Sequence, residues 1–269
     1  MANVSLYSAS SGLGSLNTKL EVIANNLANV NTQGFKRSRV NFEDLLYQER
    51  RLPGVENGLG DKTPTGLYVG LGTKVSGTQL DFEQGAFIGT DKDLDLAIDG
   101  EGFFQVEVID GVSEEGVAYT RSGNFVVNSD GEVVLANDRG WRLSPNITVP
   151  EGTVSIEVSG EGVVSAQIGD AVELTEIGNI ELVGFINPQG LKQAGGNLFV
   201  ESEASGPPIP GDPDTDGLGA VRQGFLEASN VDPTRELVEL IQTQRAFEIN
   251  SQVIRAADET LRTVGQLRR

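Results

Sequence analysis

The sequence predicts a mixed α and β fold: two long terminal helices pairing as a coiled-coil-like domain, with an antiparallel β module inserted between them. Three observations predict it. Apolar residues recur at steps of three and four at both ends of the chain, and the middle alternates polar with apolar residues. The composition changes at the same boundaries. Residues 1–45 carry a formal charge of +1 and residues 225–269 one of −1, so the −19 of the 269-residue chain belongs to the middle. The middle also holds 30 of the 34 glycines.

The first element is the N-terminal helix. Leu6, Ala9, Leu13, Leu16, Leu20, Ile23, Leu27 and Val30 form an a/d seam over more than three heptads. A seam this narrow cannot wrap a globular core and calls for a partner helix. Gly34, after Asn31 and Thr32, is expected to stop the helix by adopting positive φ. Asn25, Asn26, Asn29 and Asn31 are poor helix formers. They read either as a solvated face or as amides bonding between packed helices and fixing their register.

The partner lies at the other end. Asp232 is placed to cap a helix whose first position is Pro233, where no donor is lost. Leu237, Leu240, Ile241, Phe247, Ile254, Ala257, Leu261 and Val264 follow at helical spacing, interrupted by Gln244 and Ser251. Each helix should be ~45–50 Å long. The expected subunit interface is Leu13, Leu16, Leu20, Ile23, Asn26, Leu27 and Val30 with Leu237, Leu240, Ile241, Phe247, Ile254, Leu261 and Val264. A lone helix pair leaves Phe247, Val264, Val4, Leu45 and Leu46 partly uncovered, and other copies of the chain are the expected cover.

Between the helices, three divisions are expected: 1–46 with 225–269 as a discontinuous helical domain, 47–71 as an extended insert or linker, and 72–224 as a β module. Residues 48 to 70 are rich in glycine, proline and charge. From Gly70 the period is two, with strands expected at 74–82, 93–99, 103–108, 119–121, 124–127, 132–135, 154–158, 163–168, 180–185 and 197–200. Asn128-Ser-Asp-Gly131 has the residues of a tight hairpin.

Composition excludes much chemistry. The chain has no histidine and no cysteine, which removes thiol nucleophiles, histidine bases and the usual zinc sites. Its acidity argues against nucleic acid, where a basic face must displace counterions. No run of 18 apolar residues occurs, and no basic segment followed by an apolar block opens the chain, so no cleaved secretory signal is expected and, if the chain is exported, another route carries it. Asp212-Pro-Asp214-Thr-Asp216-Gly217 matches the start of a calcium loop, but Gln223 stands where the bidentate glutamate belongs, so an acidic turn is expected. Asp93, Asp95 and Asp99 read as one solvated strand face rather than a catalytic pair. Lys36, Arg37 and Arg39 read as a solvated charge run, with pairing to an acidic module of another subunit as the alternative. No catalytic residue, cofactor or metal is expected.

Several blocks carry a family resemblance. Ile23-Ala-Asn-Asn-Leu-Ala-Asn-Val-Asn-Thr-Gln-Gly-Phe-Lys36, Leu94-Asp-Leu-Ala-Ile-Asp-Gly-Glu-Gly-Phe-Phe104, Tyr119-Thr-Arg-Ser-Gly-Asn-Phe125, Gln223-Gly-Phe-Leu-Glu-Ala-Ser-Asn-Val231 and Gln244-Arg-Ala-Phe-Glu-Ile-Asn250 resemble the shared blocks of the bacterial flagellar rod and hook family. Asn187-Pro-Gln-Gly-Leu191, Phe199 to Gly206 and the insert from Gln48 to Leu71 resemble its distal rod branch. The acidic loop Ser113-Glu-Glu-Gly116 and Trp141-Arg-Leu depart from the family pattern. The resemblance implies a non-enzymatic subunit of a hollow helical drive shaft, exported by the flagellar type III apparatus, with its terminal helices inside the tube. The implied partners are copies of itself, the proximal rod protein below, the hook protein or hook–rod junction protein above, and the P- and L-ring proteins around it. A proximal rod protein, or a secreted β-domain glycan-binding module or hydrolase, are the alternatives.

Overall fold

The computed structural model describes residues 2–54, 64–108, 111, 113, 116–169 and 174–267. Residues 55–63 of the insert, Glu114 and Glu115 of the acidic loop and the side chain of Val264 lie outside the described residues. The fold is mixed α and β, with a helix at each end of the chain and antiparallel pairing between all named strands. It divides into two compact units, one of Met1–Ala28, Ser38–Leu80 and Asp232–Arg269, the other of Asn29–Arg37 and Asp81–Val231. The chain passes between them at 28/29, 37/38, 80/81 and 231/232.

In the first unit, helix α1 spans Ala2–Ala28 and helix α2 spans Pro233–Leu267. Asp232 caps α2 as its position suggests: Oδ1 accepts from the N–H groups of Thr234 (2.8 Å) and Arg235 (3.3 Å). Gly34 does not cap α1. The helix ends six residues earlier, and Gly34 takes φ +67° inside the second unit, where a Cβ would lie 2.7 Å from Ser122 N. Close backbone approach, not helix termination, is what requires glycine there.

The insert is not a free linker over its described residues. Strands β1 (Ser38–Asp44), β2 (Tyr47–Arg51), β3 (Leu67–Gly70) and β4 (Thr73–Leu80) pair as β1–β4 and β2–β3. Leu45 N–H donates to Gly72 O and Leu71 N–H to Leu46 O, so the two ladders join into one continuous ribbon. The ribbon is long-range pairing, which no local periodicity announces. It sits on the small-residue face of α1: Thr73 N–H donates to Ser11 Oγ, and a Cβ on Gly72 would lie 3.1 Å from Ser8 Cα.

The second unit holds β5 (Phe87–Gly89), β6 (Leu96–Asp99), β7 (Phe103–Glu107), β8 (Val117–Thr120), β9 (Phe125–Val127), β10 (Val133–Leu135), β11 (Arg142–Ser144), β12 (Thr153–Val158), β13 (Val163–Ile168) and β14 (Leu174–Asn179). It continues with β15 (Leu182–Gly184), β16 (Lys192–Gly195), β17 (Leu198–Val200), β18 (Ile209–Gly211), β19 (Ala220–Gln223) and β20 (Phe225–Glu227). Its largest sheet runs β16-β17-β8-β7-β11-β10-β9, with β15 joining β7 to β18. A β12-β13-β14 sheet and the pairs β19–β6 and β20–β5 complete it. The β9–β10 hairpin turns at Asn128–Gly131 as its residues predict: Asn128 Oδ1 accepts from the N–H groups of Asp130 and Glu132, and Gly131 has φ +82°. Strands β6, β8, β10 and β17 are buried at consecutive positions, and Phe104 and Phe125 meet edge-to-face at 5.3 Å among Leu96, Ile98, Val106, Leu143 and Leu182. Asp93, Asp95 and Asp99 do not share a solvated face. The strand begins at Leu96, Asp95 is buried with its backbone bonded to Gly224, and Asp99 pairs with Arg222.

Candidate subunit interface

α1 and α2 run antiparallel. Asn26 meets Glu236, Lys19 meets Glu239 at 3.5 Å, and Gly12 faces Asn250. On α2 the packed face is largely polar: Glu236 and Thr243 are buried, and Asn250, Ile254 and Ala257 are half-buried. Asn26, 1% exposed, settles which reading of the asparagines applies at that position. Its Nδ2 donates to Ser38 O (2.8 Å) and Glu236 Oε2 (3.3 Å), and its Oδ1 accepts from Ser38 N–H (3.0 Å). Asn25 and Asn31 are exposed. An interhelical polar bond of this kind sets register more than it adds stability.

The side chains expected at the interface separate into groups. On α1, Ile23 is buried, while Leu13, Leu16, Leu20 and Leu27 are half-buried along the same side of the helix. Val30 is half-buried in the turn after α1, within the second unit. On α2, Leu240 and Ile254 are half-buried, and Phe247 and Leu261 are exposed although 100° per residue sets them only about 20° from Glu236. Leu237 and Ile241 point away from α1, since 100° per residue sets them roughly 100–140° from Glu236.

These last two belong to a second stripe that the seam reading missed. Leu237, Val238, Ile241, Ile249 and Val253 lie on the face of α2 opposite Glu236 and Thr243, and all are exposed, Ile249 to 60%. The spacing Val238, Ile241, Arg245, Ile249, Val253 is itself a helical repeat and was readable from the chain. The ribbon adds Leu46 at 83% exposure, with Tyr47, Leu52, Leu67 and Tyr68 each at least half exposed. Exposed apolar side chains are thus concentrated on this unit, on α2 and on the ribbon.

A different cluster lies wholly in the second unit. Lys36 Nζ meets Glu227 Oε1 at 2.6 Å and Arg121 meets Glu227 Oε2 at 3.4 Å, with all three side chains at most 4% exposed. Lys36 is therefore not part of a solvated charge run. Burial lowers the Lys36 ammonium from its ordinary range, with Glu227 pushing back, and burial likewise lowers Arg121. Glu227 Oε1 also accepts from Gly85 N–H (2.8 Å), Lys36 donates to Glu83 O (2.8 Å), and Arg121 donates to Gly100 O (2.8 Å).

Among the described residues no group of three or more acidic side chains is placed to hold a metal. The Asp212 loop closes on itself, with Asp212 accepting from Asn179 Nδ2 and from Thr215. No helix among the described residues is long and apolar enough to cross a membrane. The arrangement is one of terminal helices with one face paired and the other exposing apolar side chains, beside a paired ribbon. Residues 6–36 match the family described as "Flagella basal body rod protein", residues 97–166 the "Flagellar hook protein FlgE/F/G D1 domain" and residues 222–267 the "Flagellar basal body rod FlgEFG protein C-terminal". The flagellar basal-body rod protein FlgG of Agrobacterium fabrum is 44% identical over 93% of this chain and 94% of its own length. Those of Borreliella burgdorferi and Bacillus subtilis are 43% and 40% identical, each covering 98% of this chain and 98% and 99% of their own lengths. The chain belongs to the flagellar basal-body rod family.

Proposed function

We propose that this chain is a non-enzymatic structural subunit of the flagellar distal rod. It polymerises into a hollow helical shaft that carries torque across the periplasm to the hook. The observation that carries the reading is the uncovered apolar face of α2 in a chain whose helices are already paired. A folded protein leaves such a stripe uncovered when a neighbour is to bury it, and full burial of each side chain is worth ~1.5–3 kcal/mol. The neighbours are other copies, packed on the exposed face of α2 and on the half-buried Leu13, Leu16, Leu20 and Leu27, with the helical layer inside the tube. The proximal rod protein lies below, the hook protein or hook–rod junction protein above, and the P- and L-rings around the acidic β module. Export proceeds through the flagellar type III apparatus without a cleaved signal.

The ribbon is assigned the axial lock. Tyr47, Leu52, Leu67 and Tyr68 are too exposed to stabilise their own chain, yet Tyr47–Arg51 is laddered to Leu67–Gly70. Deleting Gln48 to Leu71 should leave a chain that still assembles but gives a polymer that bends. Electron microscopy of basal bodies reads this directly, and straight rods of normal length from the deletion would remove the ribbon from the account.

A further inference from the structure

The second unit is entered and left by the chain four times, at 28/29, 37/38, 80/81 and 231/232. The chain segments next to three of those crossings are tied together by one side chain. Asn230 Oδ1 accepts from Arg37 N–H (2.7 Å), while its Nδ2 donates to Asp81 O (2.8 Å) and Glu83 O (3.0 Å). Asp81 N–H donates in turn to Arg37 O (2.8 Å). Next to this knot, within the same unit, lies the Lys36–Glu227–Arg121 group. Gly34 N–H donates to Glu227 O (2.8 Å), which ties the segment leading from α1 to the segment leading into α2. The backbones pass so closely that a Cβ on Gly85 would lie 2.0 Å from Ala228 O.

A buried ion group of this kind is a poor way to gain stability, since apolar side chains of the same volume often do as well or better. Its distinguishing property is direction. Charge-assisted hydrogen bonds hold one register between segments, whereas apolar contacts allow them to slide. We propose that Lys36, Arg121, Glu227 and Asn230 are positioning residues that form a mechanical clasp, locking the chain crossings of this unit in one register so that twist entering by any one segment is borne by all. The inference rests on the reading of the chain as a shaft subunit.

The test replaces the ions by shape. A full-length Lys36→Met, Arg121→Met, Glu227→Met triple variant is put in cells lacking the native copy, beside Asn230→Ala, which leaves no buried charge unpaired. Thermal unfolding of each purified chain measures stability; shedding of hooks and filaments is counted at low load and in viscous medium. Losing the directional bonds of the clasp is expected to raise slippage, and so high-load shedding, about tenfold in each variant, while the triple variant's melting stays near the parent's. A folded triple variant that makes no rods also supports the clasp, because folding is then present and positioning is not. Triple-variant rods that resist viscous load like the parent's overturn it. Should the triple variant fail to fold, Asn230→Ala carries the decision: parent-like shedding overturns the clasp, and raised shedding with unchanged melting supports it. Failure of the shaft reading is seen separately, in variants of the exposed face of α2, which touch none of these residues.

Discussion

Ile249→Asp separates what a side chain does for its own chain from what it does for a polymer. Ile249 is 60% exposed and lies on the face of α2 turned away from α1. A surface substitution there changes the stability of the isolated chain by no more than ~0.5 kcal/mol. In a polymer that covers this face, the exposed part of the isoleucine corresponds to about 1–2 kcal/mol of the ~1.5–3 available on full burial. Ile249→Ala should therefore raise the concentration needed for assembly roughly 5- to 30-fold. Ile249→Asp adds an unpaired charge to a closed interface, at a cost of several kcal/mol, and should abolish rods. Ile23, 2% exposed between the paired helices, should behave in the opposite way: Ile23→Ala costs the isolated chain ~2–5 kcal/mol. The assays are thermal unfolding of the dilute purified chain and counting of rods on isolated basal bodies. Normal-length rods from Ile249→Asp, or a large loss of melting temperature in the dilute chain, would show that this face is not the one neighbours cover.

Two further outcomes are expected. Gly34→Ala should cost ~1–3 kcal/mol and lower the melting temperature by several degrees, since the added Cβ meets Ser122 N at 2.7 Å in a positive-φ backbone; parent-like melting would contradict the close approach. The Glu132 carboxyl is held below its ordinary value near 4.5, first by the Asn128 amide; burial opposes this, and Asn146 and Arg142 add smaller lowering contributions. A depressed carboxylate leaves the unfolded chain binding more protons, so its contribution is present above the ordinary value and lost as pH falls through the folded one. The parent should thus exceed Glu132→Gln in melting temperature near neutrality and converge with it in acid, and a gap that ignores pH would refute the assignment.

The helices, the Asp232 cap, the Asn128–Gly131 turn and most strands of the β module were legible because each depends on residues a few positions apart. The same periodicity misled at Gly34, where the signal for a helix stop and the signal for a tight backbone crossing are one residue type. In α2 the two apolar faces overlap in sequence, so Leu237 and Ile241 were read with Phe247 and Ile254 although they point in different directions. Only the position of α1 against the helix tells which face is already used.

By itself the sequence determined the nested order of helix, strands and helix, the acidity of the middle, and the blocks that place the chain in its family. Tertiary structure alone decided that Lys36 pairs with Glu227 across 191 positions, that the Gly/Pro-rich insert is bracketed by a stiff ribbon, and that the helical pair buries Asn26, Glu236 and Thr243 while leaving isoleucines outside. The physical reason is range. Capping, turn and periodicity signals are local free energies written residue by residue, whereas ion pairing, strand registry and the choice between two helix faces depend on which distant segments come to lie alongside.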